Sequence, residues 1–165
     1  MWDRVLAPWS AWGGRILILS LPDLRGRGEI ELRRTGAYIL LTHLAQDEEI
    51  EVGRLGTFLF CRGEYAYVGS AMGGLDARVA RHLRAEKKLH WHIDYLLERA
   101  SVTEVLEYES ATRMECELSD ALSRSEASTT PVRGFGSSDC RCLSHLHYLA
   151  GPLDAGSAVR FRAHA

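Results

Sequence analysis

Apolar and polar positions alternate along much of the chain between residues 36 and 108. Runs rich in β-branched and aromatic residues are bounded there by charged or glycine-containing turns, a pattern typical of strands. The strand-like runs are GAYILLTHL at 36–44, part of EIEVGRLGTFLF at 49–60, GEYAYVGSA at 63–71 and VTEVLEY at 102–108. The first three follow one another through short turns, so we predict that they form one antiparallel meander.

A helical spacing of apolar residues replaces this alternation after a glycine pair. Leu75, Val79 and Leu83 recur at i, i+4 and i+8, which predicts the buried stripe of a first helix. Arg78 and His82 lie on the stripe beside it. A helix that only packs needs no such pair, so these two side chains are either solvated or directed at a ligand.

Residues 90–100 and 113–122 predict a second and a third helix. The residues of the third helix expected to face inward are Met114, Leu118 and Ala121 or Leu122. Glu115 lies near the border of that apolar face. Together with the strands, these helices predict an α/β fold in which a small antiparallel sheet is flanked by helices.

The same pattern divides the chain into three parts. Residues 1–35 form an N-terminal extension, in which 15–22 is a candidate extra strand and 23–35 is charged and punctuated by glycine, as in a linker. Residues 36–150 are the expected folded domain, and residues 151–165 a loosely held tail. A chain of 165 residues, 46% of them hydrophobic, can bury one substantial core.

Charge and cysteine content narrow the class of protein. A formal net charge of −2 excludes a uniformly basic surface, although a local basic patch can still bind phosphates. Four cysteines in a chain of this size do not suggest a disulfide scaffold, which favours a reducing compartment. The apolar run at 16–21 is too short to span a bilayer, and the charges before it break a signal-peptide pattern. We expect a soluble cytoplasmic protein without a membrane partner.

Several side chains on the predicted sheet and helices carry the chemistry of phosphodiester cleavage. Tyr38 and Tyr67 lie on neighbouring predicted strands, and a tyrosine hydroxyl can position or deprotonate a water. Arg78 can stabilise the charge of a pentavalent phosphorane, and His82 can move a proton near neutral pH. Magnesium needs a carboxylate in addition, which Glu115 can supply.

These motifs resemble those of the GIY-YIG nucleases, most closely the small Uri-type endonuclease subgroup. GAY at 36–38 stands for the first motif and YVG at 67–69 for the second, and the R-x-x-x-H of Arg78 and His82 follows at a family-like distance. The segments similar to those of the subgroup are YVGSA, ARVARHL, HWHIDYLL, MECELSDAL and GFGSSDCRCLSHL. The resemblance covers about residues 36–149. It implies a GIY-YIG-like fold and an endonuclease that hydrolyses DNA with Mg²⁺, for which Mn²⁺ can substitute.

The resemblance also implies roles for individual residues, with two departures from the wider family. Tyr38, Tyr67, Arg78 and His82 would be catalytic, although the two tyrosine motifs are further apart than in the usual short hairpin. The family's terminal asparagine motif is not recognisable, and Ser-Ser-Asp-Cys occupies its region, so substrate contacts there are not carried over.

The metal carboxylate is assigned by the family's E-x-x-L helix. Glu115 fits this pattern because Leu118 follows it by three residues. Glu117, two residues further along, is the competitor for the same role.

A group of cations follows on and after the first helix. Arg81, Arg84, Lys87 and Lys88, with Arg78, concentrate positive charge within a short stretch. They either stabilise the helix end through its macrodipole or hold a phosphate backbone with little sequence readout. We predict that they bind DNA.

The segment HWHIDYLL contains three metal-ligand types at alternating positions. On a helix, His90, His92 and Asp94 diverge by about 200° from one to the next, which argues against a shared metal. We therefore expect Trp91 and Tyr95 to pack in the core, and His92 or Asp94 to make structural hydrogen bonds.

The cysteines offer a second candidate metal site. Cys140-x-Cys142-x-x-His145, with Cys116, contains enough soft ligands for zinc. The C-x-C spacing differs from the usual C-x₂₋₄-C knuckle, so the sequence favours buried thiols over zinc.

Each of these features taken singly has a simpler explanation in packing or solvation, and their joint order favours a function. Two alternatives to the endonuclease stay open. One is a catalytically silent nucleic-acid-binding module on the same scaffold, and the other is a zinc-stabilised interaction domain. The sequence does not identify a protein partner.

Overall fold

Eight strands and three α-helices build the described part of the chain, which comprises residues 33–150 and the backbone of residues 15–17 in this computed structural model. The strands are β1 (Arg15–Leu17), β2 (Gly36–Leu44), β3 (Glu48–Glu51), β4 (Thr57–Phe60), β5 (Gly63–Ser70), β6 (Ser101–Glu109), β7 (Ser128–Thr129) and β8 (Leu146–Leu149). The helices are α1 (Leu75–Leu83), α2 (His92–Leu96) and α3 (Glu115–Ser123). The predicted α/β class with an antiparallel sheet flanked by helices is confirmed.

Some sequence predictions fall outside the described residues. These are the predictions for residues 1–14, for residues 18–22 of the candidate extra strand, for most of the linker and for the tail at 151–165. Of the helices in the part that the structure describes, none has the length and apolar character needed to cross a membrane.

Six of the strands form one sheet in the order β1-β6-β2-β5-β8-β7, and every pairing is antiparallel. The predicted three-strand meander is wrong. β2 pairs directly with β5, from Leu44 opposite Gly63 to Ala37 opposite Ser70. The intervening β3 and β4 pair with each other in a separate two-stranded sheet. Residues 48–60 fold into this local hairpin, so β2 is free to pair with β5 on one side and β6 on the other.

The central strand β2 is buried on both faces of the sheet, and its alternation sorts residues between two apolar clusters. Tyr38, Leu40 and Leu44 belong to a cluster that includes buried residues of α1, α2 and the small sheet. Ala37 and Ile39 belong to a second cluster, which includes buried residues of α3. Because side chains alternate between faces along a strand, the helices cover the sheet on both sides.

The inward face of α1 differs from the predicted one at its end. Leu75 and Val79 are buried as expected, but the third buried residue is His82, and Leu83 is 38% exposed. The expectation that Leu83 faces inward is therefore wrong. The spacing i, i+4, i+7 puts His82 on the same helical face, and Tyr38 offsets the burial of its imidazole with a hydrogen bond.

Helix α2 is shorter than the predicted 90–100. The Asp94 carboxylate accepts hydrogen bonds from the backbone N–H groups of His90 and Trp91, both at 3.0 Å. Trp91 is the N-cap residue and His90 precedes it, so both lie before the helix, and the Asp94 carboxylate binds the N–H of the N-cap. Helix α3 begins at Glu115, two residues later than predicted.

Arg34 connects the predicted linker to the sheet. Its guanidinium donates to Asp76 on α1 at 2.8 Å, and to Glu107 and Glu109 on β6 at 2.6 and 2.7 Å. Glu107 is only 3% exposed, and a buried carboxylate requires such a partner. The packed part of the chain therefore begins at least two residues before Gly36.

Candidate active site

A cleft of about 500 Å³ opens where the ends of β2 and β5 meet α1, the start of α3 and the loop that precedes β8. The chemically active side chains that line it include Tyr38, Tyr67, Arg78, Trp91, Glu115 and Asp139. Four of these were predicted from the sequence as site residues. The fold therefore brings both tyrosines, the arginine and one of the two candidate carboxylates to a single cavity.

His82, the remaining predicted catalytic residue, lies behind Tyr38 rather than among the residues that line the cleft. Its Nε2 is 2.8 Å from the Tyr38 hydroxyl, and its Nδ1 is 3.6 Å from Asp94 Oδ1. A proton on Nδ1 is favoured by the nearby carboxylate, which leaves Nε2 to accept the hydrogen of the tyrosine. The result is a buried line of polar groups in which Tyr38 is hydrogen-bonded to His82, and His82 is in charge contact with Asp94 but not hydrogen-bonded to it.

Burial sets the protonation states along this line. It lowers the pKa of His82 from 6.5 to about 4, because the loss of hydration outweighs the attraction of Asp94. Burial also raises the pKa of Tyr38 well above its usual value of 10. At neutral pH the line therefore consists of a neutral tyrosine and a neutral imidazole.

The last residue of the line, Asp94, is held in its ionised form. Burial alone would raise the pKa of Asp94, but hydrogen bonds from Arg81, Trp91 and His90 lower it overall. Arg81 donates to both carboxylate oxygens, at 3.0 and 2.9 Å. Arg81, one of the residues predicted to bind DNA, is thus paired with a buried carboxylate in this structure.

Gly69, the last residue of the YVG segment, allows Tyr38 to reach His82. The two residues are direct neighbours across β2 and β5, and a Cβ atom on Gly69 would lie 2.2 Å from the Tyr38 ring. Gly69 lies within β5, where the absence of a side chain allows the close approach of Tyr38.

Tyr67 is held by aromatic neighbours and by a second glycine. Its ring centroid lies 6.1 Å from that of Phe135 and 6.5 Å from that of His82, both in edge-on arrangements. Gly136, with φ +73°, brings the loop against the tyrosine, since a Cβ there would lie 2.8 Å from the ring. Burial raises the pKa of the Tyr67 hydroxyl, which is therefore protonated at neutral pH and available as a donor.

Trp91 supports the two arginines of α1. The guanidinium carbons of Arg78 and Arg81 lie 4.2 and 4.1 Å from the centroid of its rings. Arg78 lines the cleft, and within residues 33–150 it has no carboxylate partner. Trp91 packs against the main apolar cluster, as expected, but it is only half-buried and also forms a wall of the cleft.

The two candidate carboxylates of α3 separate in space. Glu115 lines the cleft and is only 6% exposed, and its Oε2 is buried without a hydrogen-bond partner in the described part of the chain. Its Oε1 is 3.5 Å from Arg113, which also lies 3.3 Å from Asp139. Glu117 is exposed and lines a different depression.

The predicted cationic cluster divides into anchored and free side chains. Lys87 donates to the carbonyl oxygens of His82 at 2.6 Å and Arg84 at 3.2 Å, so it satisfies orphan acceptors at the end of α1. Arg84 and Lys88 are exposed, and their side chains make no ion pair within the described ranges. Of the cluster members outside the cleft, these two are therefore the side chains that are both exposed and unpaired within residues 33–150.

Sequence reasoning did not anticipate the positions of Trp91, Arg113 and Gly136 around the cleft. The sequence contained a weak signal for the position of Trp91. Acidic residues are common in the first turn of a helix, so Asp94 marks a helix start that leaves Trp91, three residues earlier, outside the helix. Arg113 and Gly136 reach the cleft through packing between distant segments, and no local pattern marks them.

The fold and the cleft together define an α/β domain with a polar cavity at one end of an antiparallel sheet. The chain matches a domain of unknown function, DUF123, over residues 37–161, and it belongs to that family. No curated protein and no solved structure matches it.

Proposed function

We propose that this protein is a metal-dependent endonuclease that hydrolyses phosphodiester bonds in DNA, of the GIY-YIG class and the Uri-type subgroup. The observation that carries the proposal is the common cleft of Tyr38, Tyr67, Arg78 and Glu115, with His82 bonded behind Tyr38. These residues come from four separate elements. Packing alone gives no reason for them to meet in one polar cavity.

The first role is that of Tyr38 in orienting the attacking water. Its own hydrogen is directed at His82 Nε2, so its oxygen lone pairs are free to accept a hydrogen from a water in the cleft. As the water attacks phosphorus, its proton passes to Tyr38 and the phenolic proton passes to His82. Asp94 then stabilises the imidazolium that forms.

Two hydrogen-bond donors in the cleft can bind the scissile phosphate. The Arg78 guanidinium, held against Trp91, can bind non-bridging oxygens and stabilise the additional negative charge of the transition state. The neutral Tyr67 hydroxyl can donate to the same group. The bond from phosphorus to the leaving oxygen breaks, and that oxygen takes a proton from solvent.

Glu115 fits a hard cation. It lines the cleft, and one of its carboxylate oxygens has no hydrogen-bond partner among residues 33–150. Asp139, in the same wall, supplies a second carboxylate nearby. Mg²⁺ or Mn²⁺ bound there would neutralise phosphate charge and retain several waters.

The test is cleavage of labelled duplex, branched and single-stranded DNA by the full chain, with and without added Mg²⁺ or Mn²⁺. We expect cleavage that depends on the added ion and falls roughly 10²-fold or more in both Arg78→Ala and Tyr67→Phe. Tyr67→Phe keeps the aromatic packing, so its loss of rate isolates the hydroxyl. Binding of DNA without cleavage under every condition would instead favour the silent binding module, and full activity of both variants would remove the site assignment.

A further inference from the structure

Four soft-ligand side chains meet beside the cleft. They are Cys116 on α3, Cys140 and Cys142 in the loop before β8, and His145 immediately before that strand. Their candidate ligand atoms all lie within 4.8 Å of one another. Within the residues that the structure describes, no other group of three or more histidine, cysteine or acidic side chains converges in this way.

The distances within the group are close to those of a tetrahedral site. His145 Nε2 lies 3.4 Å from Cys140 Sγ and 4.0 Å from Cys116 Sγ. For a tetrahedral ion with Zn–S near 2.3 Å and Zn–N near 2.05 Å, neighbouring ligand atoms are separated by roughly 3.5 to 3.8 Å. The observed separations bracket that value, and a small contraction of the group would complete the site.

We propose that Cys116, Cys140, Cys142 and His145 bind one structural Zn²⁺ ion. Three thiolates and one imidazole are a common set for tetrahedral zinc, and four protein ligands leave no open position for a reaction. The short C-x-C spacing is compatible with this site because the chain bends through residues 140–141 and both thiols turn toward α3.

The ion would add a connection between α3 and the loop at 130–145, which are already joined by a hydrogen bond from the Ser119 hydroxyl to the Ser144 carbonyl oxygen at 2.7 Å. The loop at 130–145 carries no helix and only Val132 and Phe135 of it belong to the main apolar cluster. Zinc would fasten this loop to α3. Cys116 is adjacent in sequence to Glu115, and Cys140 to Asp139, so the ion fixes the wall of the cleft that carries both carboxylates.

The experiment measures metal directly in the full chain, with no DNA present. We expect about one zinc ion per chain in protein purified without chelator. Replacement by Co²⁺ should produce the visible absorption of a tetrahedral ion together with thiolate-to-cobalt charge-transfer bands. Removal of zinc should lower the thermal unfolding midpoint by at least about 10 °C.

A matched pair of variants assigns the ligands. Cys142→Ser removes one proposed thiolate, and we expect it to weaken zinc binding at least about 100-fold in competition with a zinc buffer. Cys61→Ser changes an exposed cysteine outside the group and should bind zinc like the wild type. Wild-type protein that holds no zinc and gives no tetrahedral cobalt spectrum would overturn the proposal, whatever the variants do.

This site is separable from the proposed nuclease activity. A zinc-loaded protein that cleaves no DNA would remove the nuclease and leave the zinc site. A zinc-free protein that cleaves DNA with Mg²⁺ would do the reverse. The Mg²⁺ requirement is measured by omitting Mg²⁺ and adding it back, because a general chelator would also remove the zinc.

Discussion

At the residue scale, the cleft depends on pairs of residues that are distant in sequence and in direct contact. Tyr38 lies across Gly69 on the neighbouring strand and reaches His82 on the following helix. The tyrosine can hold this position only because Gly69 has no side chain. The YVG segment thus contributes Tyr67 to the cleft, and its Gly69 leaves the space that the Tyr38 ring occupies.

Replacing Gly69 by alanine should therefore displace Tyr38. The new methyl group would lie 2.2 Å from the tyrosine ring, so the ring must move away from His82. We expect a loss of about 1–3 kcal/mol in the free energy of unfolding, measured with denaturant, and a drop in DNA cleavage.

Gly73→Ala is the matched control, because no atom lies within 4 Å of a Cβ built at that position. If the two alanine variants unfold at the same denaturant concentration, the close contact between Tyr38 and Gly69 does not limit stability.

The two acidic residues of α3 provide a second comparison. Glu115→Gln keeps the shape of the side chain and removes the charge that offsets the dehydration of a bound cation. We expect Mg²⁺-dependent cleavage to fall roughly 10²-fold, with an unchanged thermal midpoint. Glu117→Gln should cleave normally because that residue is exposed outside the cleft.

The reverse result, with Glu117→Gln inactive and Glu115→Gln active, would mean that the metal binds on the opposite side of α3. Normal cleavage by both variants would direct attention to Asp139 in the cleft wall.

At the scale of elements, the cationic side chains on and after α1 are of two kinds: some are bound to other groups of the protein and others are exposed to solvent. Arg81 is bound to Asp94, and Lys87 caps the helix through two carbonyl oxygens. Reversing either charge would damage the fold along with any interaction with DNA. The exposed Arg84 and Lys88 can be changed without this complication.

The double variant Arg84→Glu and Lys88→Glu should weaken DNA binding at every sequence. If both side chains neutralise phosphates, the slope of log affinity against log salt concentration should become shallower by about 2. The measurement is a binding titration at several salt concentrations.

Arg54→Glu with Arg99→Glu is the control pair, since both arginines are exposed and neither lines the cleft. An equal change of slope in the control would indicate a general effect of net charge, and no change in either pair would leave Arg84 and Lys88 as solvated residues.

At the scale of the whole molecule, burial of neutral histidine links stability to pH. The pKa of His82 is about 4 in the folded protein and near 6.5 in the unfolded chain. Between these values the unfolded chain binds a proton that the folded protein does not, so stability falls as pH decreases from 6.5 toward 4. The charged groups that face this imidazole are Asp94, Arg81, Lys87 and Arg78.

We expect His82 to account for about 2 kcal/mol of the stability lost between pH 7 and pH 5. His82→Gln removes the titrating group and can still accept the hydrogen of Tyr38. The loss of unfolding free energy between the two pH values should be smaller in the variant by that amount. Equal losses in variant and wild type would contradict the low pKa of His82.

The sequence by itself determined where most elements lie. β2 occupies the predicted range 36–44, and β5 and β6 differ from their predictions by one residue at the ends. Their apolar alternation is a local property, set by which side of a strand each residue faces. The tyrosine motifs and the arginine of α1 were recognisable for the same reason, since each motif is a short stretch of adjacent residues.

Only the tertiary structure decided which of these elements meet. Local pattern could not indicate that β3 and β4 form their own sheet, nor that His82 turns inward while Leu83 is exposed. Nor could it indicate that Glu115 and Glu117 separate, or that Cys116 meets a C-x-C segment far along the chain. These outcomes depend on contacts between segments distant in sequence, whose free energy comes from the burial and pairing of both partners at once.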